Sequence, residues 1–172
     1  MFHETITVLD CPEHSNVSQA VGHGPITVQA ASLGDVRTIV EFNCRLAAEI
    51  DGEKLDHSKI AAAVEAQLRE PSLGRYWLAF ANGRAVGQLR LWPEWFDWGN
   101  GFLLWLDNVY VRPADRRRGV TRALFAHALA LASADPRVIG FRLHVCKHNC
   151  NARRTYEALG FSVANDVMEC RL

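Results

Sequence analysis

The stretch VYVRPADRRRGVTRALF, Val109 to Phe125, decides how this chain is read. A β-rich apolar run ends, three arginines (Arg116, Arg117, Arg118) precede a lone glycine, Gly119, and an apolar pattern of helical spacing begins at once. A strand, a glycine turn and a helix in that order aim successive backbone N–H groups at one point beside the positive end of the helix, where a phosphate fits. Two other readings of the arginines compete: a solvated charge run and a nucleic-acid patch. A nucleotide-triphosphate loop is disfavoured, because Gly-Lys-Ser/Thr is missing.

The rest of the 172-residue chain narrows the choice. Lysine plus arginine (19) equals aspartate plus glutamate (19), so the arginine run is a local feature with no extended basic footprint, and nucleic acid is not expected as a partner. Five cysteines, an odd number, make no disulfide framework and point to a reducing cytoplasm. No apolar segment reaches membrane-spanning length, and residues 1–24 carry neither a signal-peptide core nor a basic amphipathic pattern. These residues read as an N-terminal extension, and 25–172 as one domain.

Outward from the loop, ITVQA alternates as a strand, and Ser32 with Asp35 forms a capping pair ahead of Val36, Ile39 and Val40. A second helix starts at Ser58 and stops before Pro71. RYWLAFA and RAVGQLRLW flank Asn82-Gly83, a hairpin signal of type I′, and PEWFDWGNG reads as a loop. FLLWLDNVYV is apolar enough for a central strand. The helix after the arginines carries Val120, Ala123, Leu124, His127 and Leu131 as its stripe. GFRLHVC reads as a buried strand, Asn149 or Asn151 caps a last helix closed by Gly160, and FSVANDVMECRL supplies a short strand pair. The order β-α-α-β-β-β-α-β-α-β-β specifies an α/β fold, with a mixed, mostly antiparallel sheet of about six to seven strands and helices on both faces.

Two motifs in the second half resemble those of the GNAT superfamily of N-acetyltransferases. Arg116-Arg117-Arg118-Gly119-Val120-Thr121 follows the acetyl-CoA loop pattern Gln/Arg-x-x-Gly-x-Gly/Ala, with Thr121 where Gly or Ala is usual. Asn149, Ala152, Tyr156, Glu157, Gly160 and Phe161 match Asn-x-x-Ala-x-x-x-Tyr-Glu-x-x-Gly-Phe. The resemblance covers roughly residues 25–172 and thins toward the N-terminal half. It implies a GNAT-like domain with acetyl-CoA as cosubstrate, no metal, and a small-molecule or protein amine as acceptor. It admits a homodimer and gives no reason to expect a membrane partner. It further implies that Val109, Tyr110 and Val111 offer free backbone groups to the pantetheine arm, that Arg116 to Thr121 take the phosphates, and that Asn149 contacts the cofactor.

Acylation of an amine needs a base for the ammonium, donors for the oxyanion and an acid for the leaving thiolate. Tyr156 suits the acid, since a phenol keeps its proton at neutral pH, although the same position also suits a core tyrosine. Asp107, among apolar neighbours whose desolvation would raise its pKa, suits a base acting directly or through water, and equally an aspartate that fixes a loop. The resemblance adds that relatives acting on polyamines carry an acid here and at the next position, which is Asn108 in this chain. Glu94 is the second candidate base. Trp92, Glu94, Trp95 and Asn108 are expected on the acceptor side, where aromatic faces and charge could hold a cation. His144, Cys146, His148 and Cys150 alternate along HVCKHNC, but alternation across a strand end rarely aims four groups together, so no metal is expected. A non-catalytic acyl-CoA-binding domain on the same scaffold, and an acyltransferase with a covalent serine or cysteine intermediate, remain as alternatives.

Overall fold

The structure is a computed structural model and describes residues 24–50 and 52–164. Among these, five strands form one sheet in chain order: β1 (Thr27–Ala30), β2 (Arg75–Ala81), β3 (Arg84–Phe96), β4 (Gly101–Val111) and β5 (Val138–Leu143). All neighbours pair antiparallel except β4 and β5, which are parallel because a helix carries the chain across between them. The four helices are α1 (Val36–Ile50), α2 (His57–Arg69), α3 (Val120–Ala134) and α4 (Cys150–Glu157).

The described residues hold five of the six or seven strands expected. Phe161–Ala164 take no regular structure, and the rest of FSVANDVMECRL lies outside the described residues.

The period-two alternation of β2 sorts the core. Tyr76 and Leu78 face Ile39, Val40 and Phe42 of α1 and Val64 of α2. Ala79 faces the other way, joining Leu89, Leu91 and Leu106 of the sheet against Val120, Leu124 and Ala128 of α3. The buried stripe of α3 thus runs through Val120, Leu124, Ala128 and Ala132; the expected stripe member His127 sits at its margin, its ring against Trp77 at 4.3 Å.

Local signals behave as their chemistry dictates. Asp35 accepts from the Ser32 backbone N–H at 2.8 Å and from its hydroxyl at 2.9 Å, and α2, capped by Asp56, begins at His57, one residue before the expected start at Ser58. Asn82 and Gly83 both take positive φ, +50° and +70°, and pair Ala81 with Arg84 across the tight turn.

The loop expected at PEWFDWGNG is instead mostly strand: β3 runs on through Pro93 to Phe96, and only Asp97–Gly99 form a short 3₁₀ turn. Pairing with β2 ends where Arg75 meets Leu91, so beyond that point β3 has only β4 beside it. Proline lacks an N–H, and on such a free edge none is needed.

Candidate active site

β4 and β5 pair from Phe102 opposite Val138 to Leu106 opposite Leu143, and β5 stops there. β4 continues to Val111, so its last residues have no β5 partner, and the strand edge at Val109–Val111 opens into a cleft of about 1000 Å³. From Asp107 to Val111, β4 therefore has no strand partner on its β5 side. Across the cleft stands α4 with Asn149, Ala152 and Tyr156; its mouth is formed by Arg116, Arg117, Gly119, Val120 and Thr121.

A bulge sets the direction of β4 at this point. Gln88 opposes Tyr110, whereas Arg90 opposes Asp107, so β4 carries one extra residue between them. Asn108 sits there with φ +47°, a left-handed conformation that asparagine tolerates better than most residues. Its N–H, its carbonyl and its side-chain amide N are all hydrogen-bonded. Its N–H donates to Asp107 Oδ1 at 2.9 Å, its carbonyl accepts from Gln88 Nε2 at 3.2 Å, and its Nδ2 donates to the Tyr76 hydroxyl at 2.6 Å. Asn43 Nδ2 also donates to that hydroxyl at 3.1 Å, and Asn43 Oδ1 accepts from the fully buried Gln88 at 2.7 Å. Asn108, expected to meet the acceptor, thus turns inward as the keystone of a four-residue network.

The glycine turn is built differently. Gly119 has φ +81°, caps α3, and a Cβ placed on it would meet nothing within 4 Å. No hydrogen bond among the described residues takes up the N–H groups of Gly119, Val120 or Thr121. The first N–H groups of a helix lack intrahelical partners, so these donors are open to a ligand at the cleft mouth. Gly87 brings the turn close to the sheet: a Cβ there would lie 2.8 Å from the Tyr110 carbonyl oxygen and 3.0 Å from Val120 Cγ1. Strand periodicity alone gave no hint of that role.

The three arginines have three environments. Arg116 donates to the Val111 carbonyl at 2.9 Å and pairs with Glu49 of α1. Arg117 takes φ +62°, lines the cleft, and has no ion-pair partner among the described residues. Arg118 does not line the cleft; it pairs at 2.9 Å with Asp115. Glu49 was not foreseen at this cleft, and Tyr110, expected to offer its backbone, brings its hydroxyl as well. The Tyr110 hydroxyl lies 3.5 Å from the Glu49 carboxylate, and burial, reinforced by that charge, pushes its pKa up.

Tyr156 reaches the cleft because the chain after α4 folds back on it. Gly160, at φ +92°, turns the backbone so that the Phe161 N–H donates to the Tyr156 carbonyl at 3.0 Å. The Phe161 ring then packs on Tyr156 at 5.8 Å and on Phe125 of α3 at 5.5 Å. Burial, and secondarily the negative charge of Asp107, push the Tyr156 pKa from 10.0 up to about 12. Its hydroxyl has no protein partner among the described residues. Asn149 caps α4, its Oδ1 accepting from the Ala152 N–H at 3.1 Å, and lines the cleft as well.

Asp107 departs from expectation. Its apolar neighbour Leu106 points into the α3 core, while Asp107 points the other way, 49% exposed, with Oδ2 3.3 Å from Arg90. It is not enclosed by apolar side chains. Trp92, Glu94 and Trp95 lie further along β3, toward the end of the sheet away from Val111. Trp92 stacks on Trp105 with rings parallel at 5.2 Å, and Glu94 accepts from Trp105 Nε1 and pairs with Arg142 at 2.9 Å. Trp95 is 54% exposed and packs edge-on against Phe102. None of the three lines the cleft.

The HVCKHNC residues diverge, His144 against Trp105 and His148 in the cleft wall. Among the described residues no group of three or more His, Cys, Asp or Glu converges as a metal site requires. No helix among them is long and apolar enough to cross a membrane.

Residues 40–161 match the family described as the acetyltransferase (GNAT) family. The chain is similar to the structure of a possible acetyltransferase from Clostridium difficile 630, with 34% identity and a TM-score of 0.79 over 86% of this chain and 97% of that one. It is also similar to a predicted acetyltransferase with acetyl-CoA from Clostridium acetobutylicum, with 16% identity and a TM-score of 0.70 over 86% and 96% of the two chains. A putative acetyltransferase from Agrobacterium tumefaciens strain C58, at 22% identity and a TM-score of 0.71, covers 85% of this chain and 99% of its own. These last two likenesses concern the fold. No curated protein matches the chain.

Proposed function

The chain belongs to the GNAT acetyltransferase family, and on that premise we propose that it moves an acetyl group from acetyl-CoA to a primary amine by direct attack, without a covalent enzyme intermediate. The observation that carries this reading is one cleft lined at once by the free edge of β4, the open N–H groups before α3 and the Tyr156 side chain. An extended amide-bearing arm can add to the β4 edge as a further strand would, with its phosphate end at Gly119 to Thr121 and its thioester end toward Tyr156.

Tyr156 serves as the proton donor to the leaving sulfur. At a pKa of about 12 it keeps its proton throughout the physiological range. A thiol ordinarily titrates near ~8.5, so proton transfer from Tyr156 to a free thiolate would be uphill by roughly 4–5 kcal/mol. Tyr156 therefore acts first as a hydrogen-bond donor to the departing sulfur, and as its proton passes to the thiolate it regains one from the nitrogen of the newly formed amide. Asp107 takes the amine's proton through water; its exposure suits exchange with solvent, and its charge favours an ammonium nearby. The acceptor is a small-molecule or protein amine.

Tyr156→Phe tests the reading. With thiol release followed over a panel of amines, turnover is expected to fall about a hundredfold while acetyl-CoA affinity stays unchanged. Undiminished turnover would remove Tyr156 as the donor. Acetyl-CoA binding with no acceptor found would favour a non-catalytic acyl-CoA-binding domain.

A further inference from the structure

Asp115 is the most deeply buried carboxylate among the described residues, only 3% exposed, and it stands in the wall of the cleft meant for an anionic ligand. A buried carboxylate persists only with charged partners, and Asp115 has two. Arg84, at the start of β3, reaches both its oxygens at 3.2 and 2.9 Å, and Arg118 reaches Oδ1 at 2.9 Å. The backbone holds the group in place: the Asp115 N–H donates to the Arg112 carbonyl at 2.8 Å, and Arg112 itself is tied to the Ala85 carbonyl at 3.0 Å. The consequence falls on the arginine triplet. Arg118 is drawn into the wall, Arg116 is held by Glu49 and the Val111 carbonyl, and the chain between them turns left-handed at Arg117.

We propose that Asp115 is a positioning residue for the anion-binding loop: by anchoring Arg118 to β3 through the shared partner Arg84, it fixes the turn at Arg117–Gly119 and leaves Arg117 as the guanidinium presented to a phosphate of the ligand. This rests on the acetyl-CoA reading above. The arginines then differ in kind. Arg117 acts as a charge open to screening, whereas Arg118 acts through geometry in a partly buried pair that salt screens much less.

Calorimetric titration of acetyl-CoA into the folded wild type and variants at low and high salt separates the two. Arg117→Ala is expected to lose about tenfold in affinity at low salt, with the loss shrinking markedly at high salt. Arg118→Ala is expected to lose a smaller factor that stays the same at both salts. Asp115→Asn is expected to reproduce the Arg118→Ala loss, and the double variant to be no worse than either single one, because both break one anchor. The Arg118→Ala arm keeps Arg84 on the buried carboxylate and decides the matter even if Asp115→Asn does not fold. In steady state the Asp115 and Arg118 changes should raise the acetyl-CoA KM and leave the amine KM unchanged. A salt-screened loss in Arg118→Ala equal to that of Arg117→Ala would overturn the proposal, since Arg118 would then meet the phosphate itself. Wild-type protein that bound no acetyl-CoA would instead overturn the functional reading, and this proposal with it.

Discussion

Two left-handed residues flank the end of β4, Asn108 at its bulge and Gly119 at the turn beyond, and they hold their conformations by opposite means. Asn108 is locked: its N–H, carbonyl and side chain are each hydrogen-bonded, to Asp107, Gln88 and Tyr76. Gly119 is open: no neighbour stands within 4 Å of where its Cβ would be, and the N–H groups beside it are unused among the described residues. The first fixes the bulge in the strand, and the second leaves the donors beside it without protein partners among the described residues. A binding site built by a strand that parts from its neighbour needs both, a rigid cause for the parting and an unsatisfied surface where the ligand arrives.

Disturbing the locked residue should cost stability, and disturbing the open one affinity. Asn108→Leu imposes positive φ on a residue that tolerates it poorly and removes the side-chain donor to the Tyr76 hydroxyl, so a loss of about 3 kcal/mol is expected in urea unfolding. Gly119→Val should reduce acetyl-CoA affinity about a hundredfold, equivalent to roughly 2.7 kcal/mol, by forcing a β-branched residue out of φ +81° and crowding the approach to the free N–H groups. Its effect on unfolding should be smaller than its effect on binding. If Gly119→Val instead lowered stability and left affinity intact, the comparison would be broken. Asn108→Gly sharpens it, because glycine keeps the left-handed turn and removes only the Tyr76 contact; about 1 kcal/mol should be lost, with the bulge retained.

A further effect concerns alkaline pH. The folded chain holds the Tyr156 proton up to about 12, while the unfolded chain releases it near 10.0. Between these values the folded state binds more protons than the unfolded one, so stability is lost as pH rises through that window and is unaffected well below it. At pH 11 the contribution is roughly 1.4 kcal/mol. Tyr156→Phe should flatten that part of the stability profile, as read by urea unfolding across the window.

What could be read in the sequence was what short-range chemistry determines. Asn82-Gly83 marks its own turn, Gly119 after the arginines marks the start of α3, and the spacing of Asn149, Tyr156, Gly160 and Phe161 encodes a cap, a cleft residue, a turn and the ring that packs behind it. What could not be read depends on partners distant in the chain. Pro93 looked like a break because only pairing shows that β2 has already ended beside it. The Asn108 bulge arises from register with β3 and from Tyr76 and Asn43 on other elements. Asp107 looked enclosed because its apolar neighbours are adjacent in sequence, but alternation puts Leu106 on the opposite face. Which of the arginines differs could not be read either, because the acid that holds Arg118 is recognisable only by its burial and its second partner, Arg84.

The central claim is that one cleft, between the free edge of β4 and α4, receives acetyl-CoA with its phosphates at the turn before α3. Amide chemical shifts of the isotope-labelled protein, followed as acetyl-CoA is added, test it most directly. The account predicts saturable shifts that are largest at the N–H groups of Gly119, Val120 and Thr121, and extend along Val109 to Val111, with Trp95 and Trp98 unmoved. Shifts confined to the Trp92–Trp105 end of the sheet, with Gly119 to Thr121 silent, would contradict it.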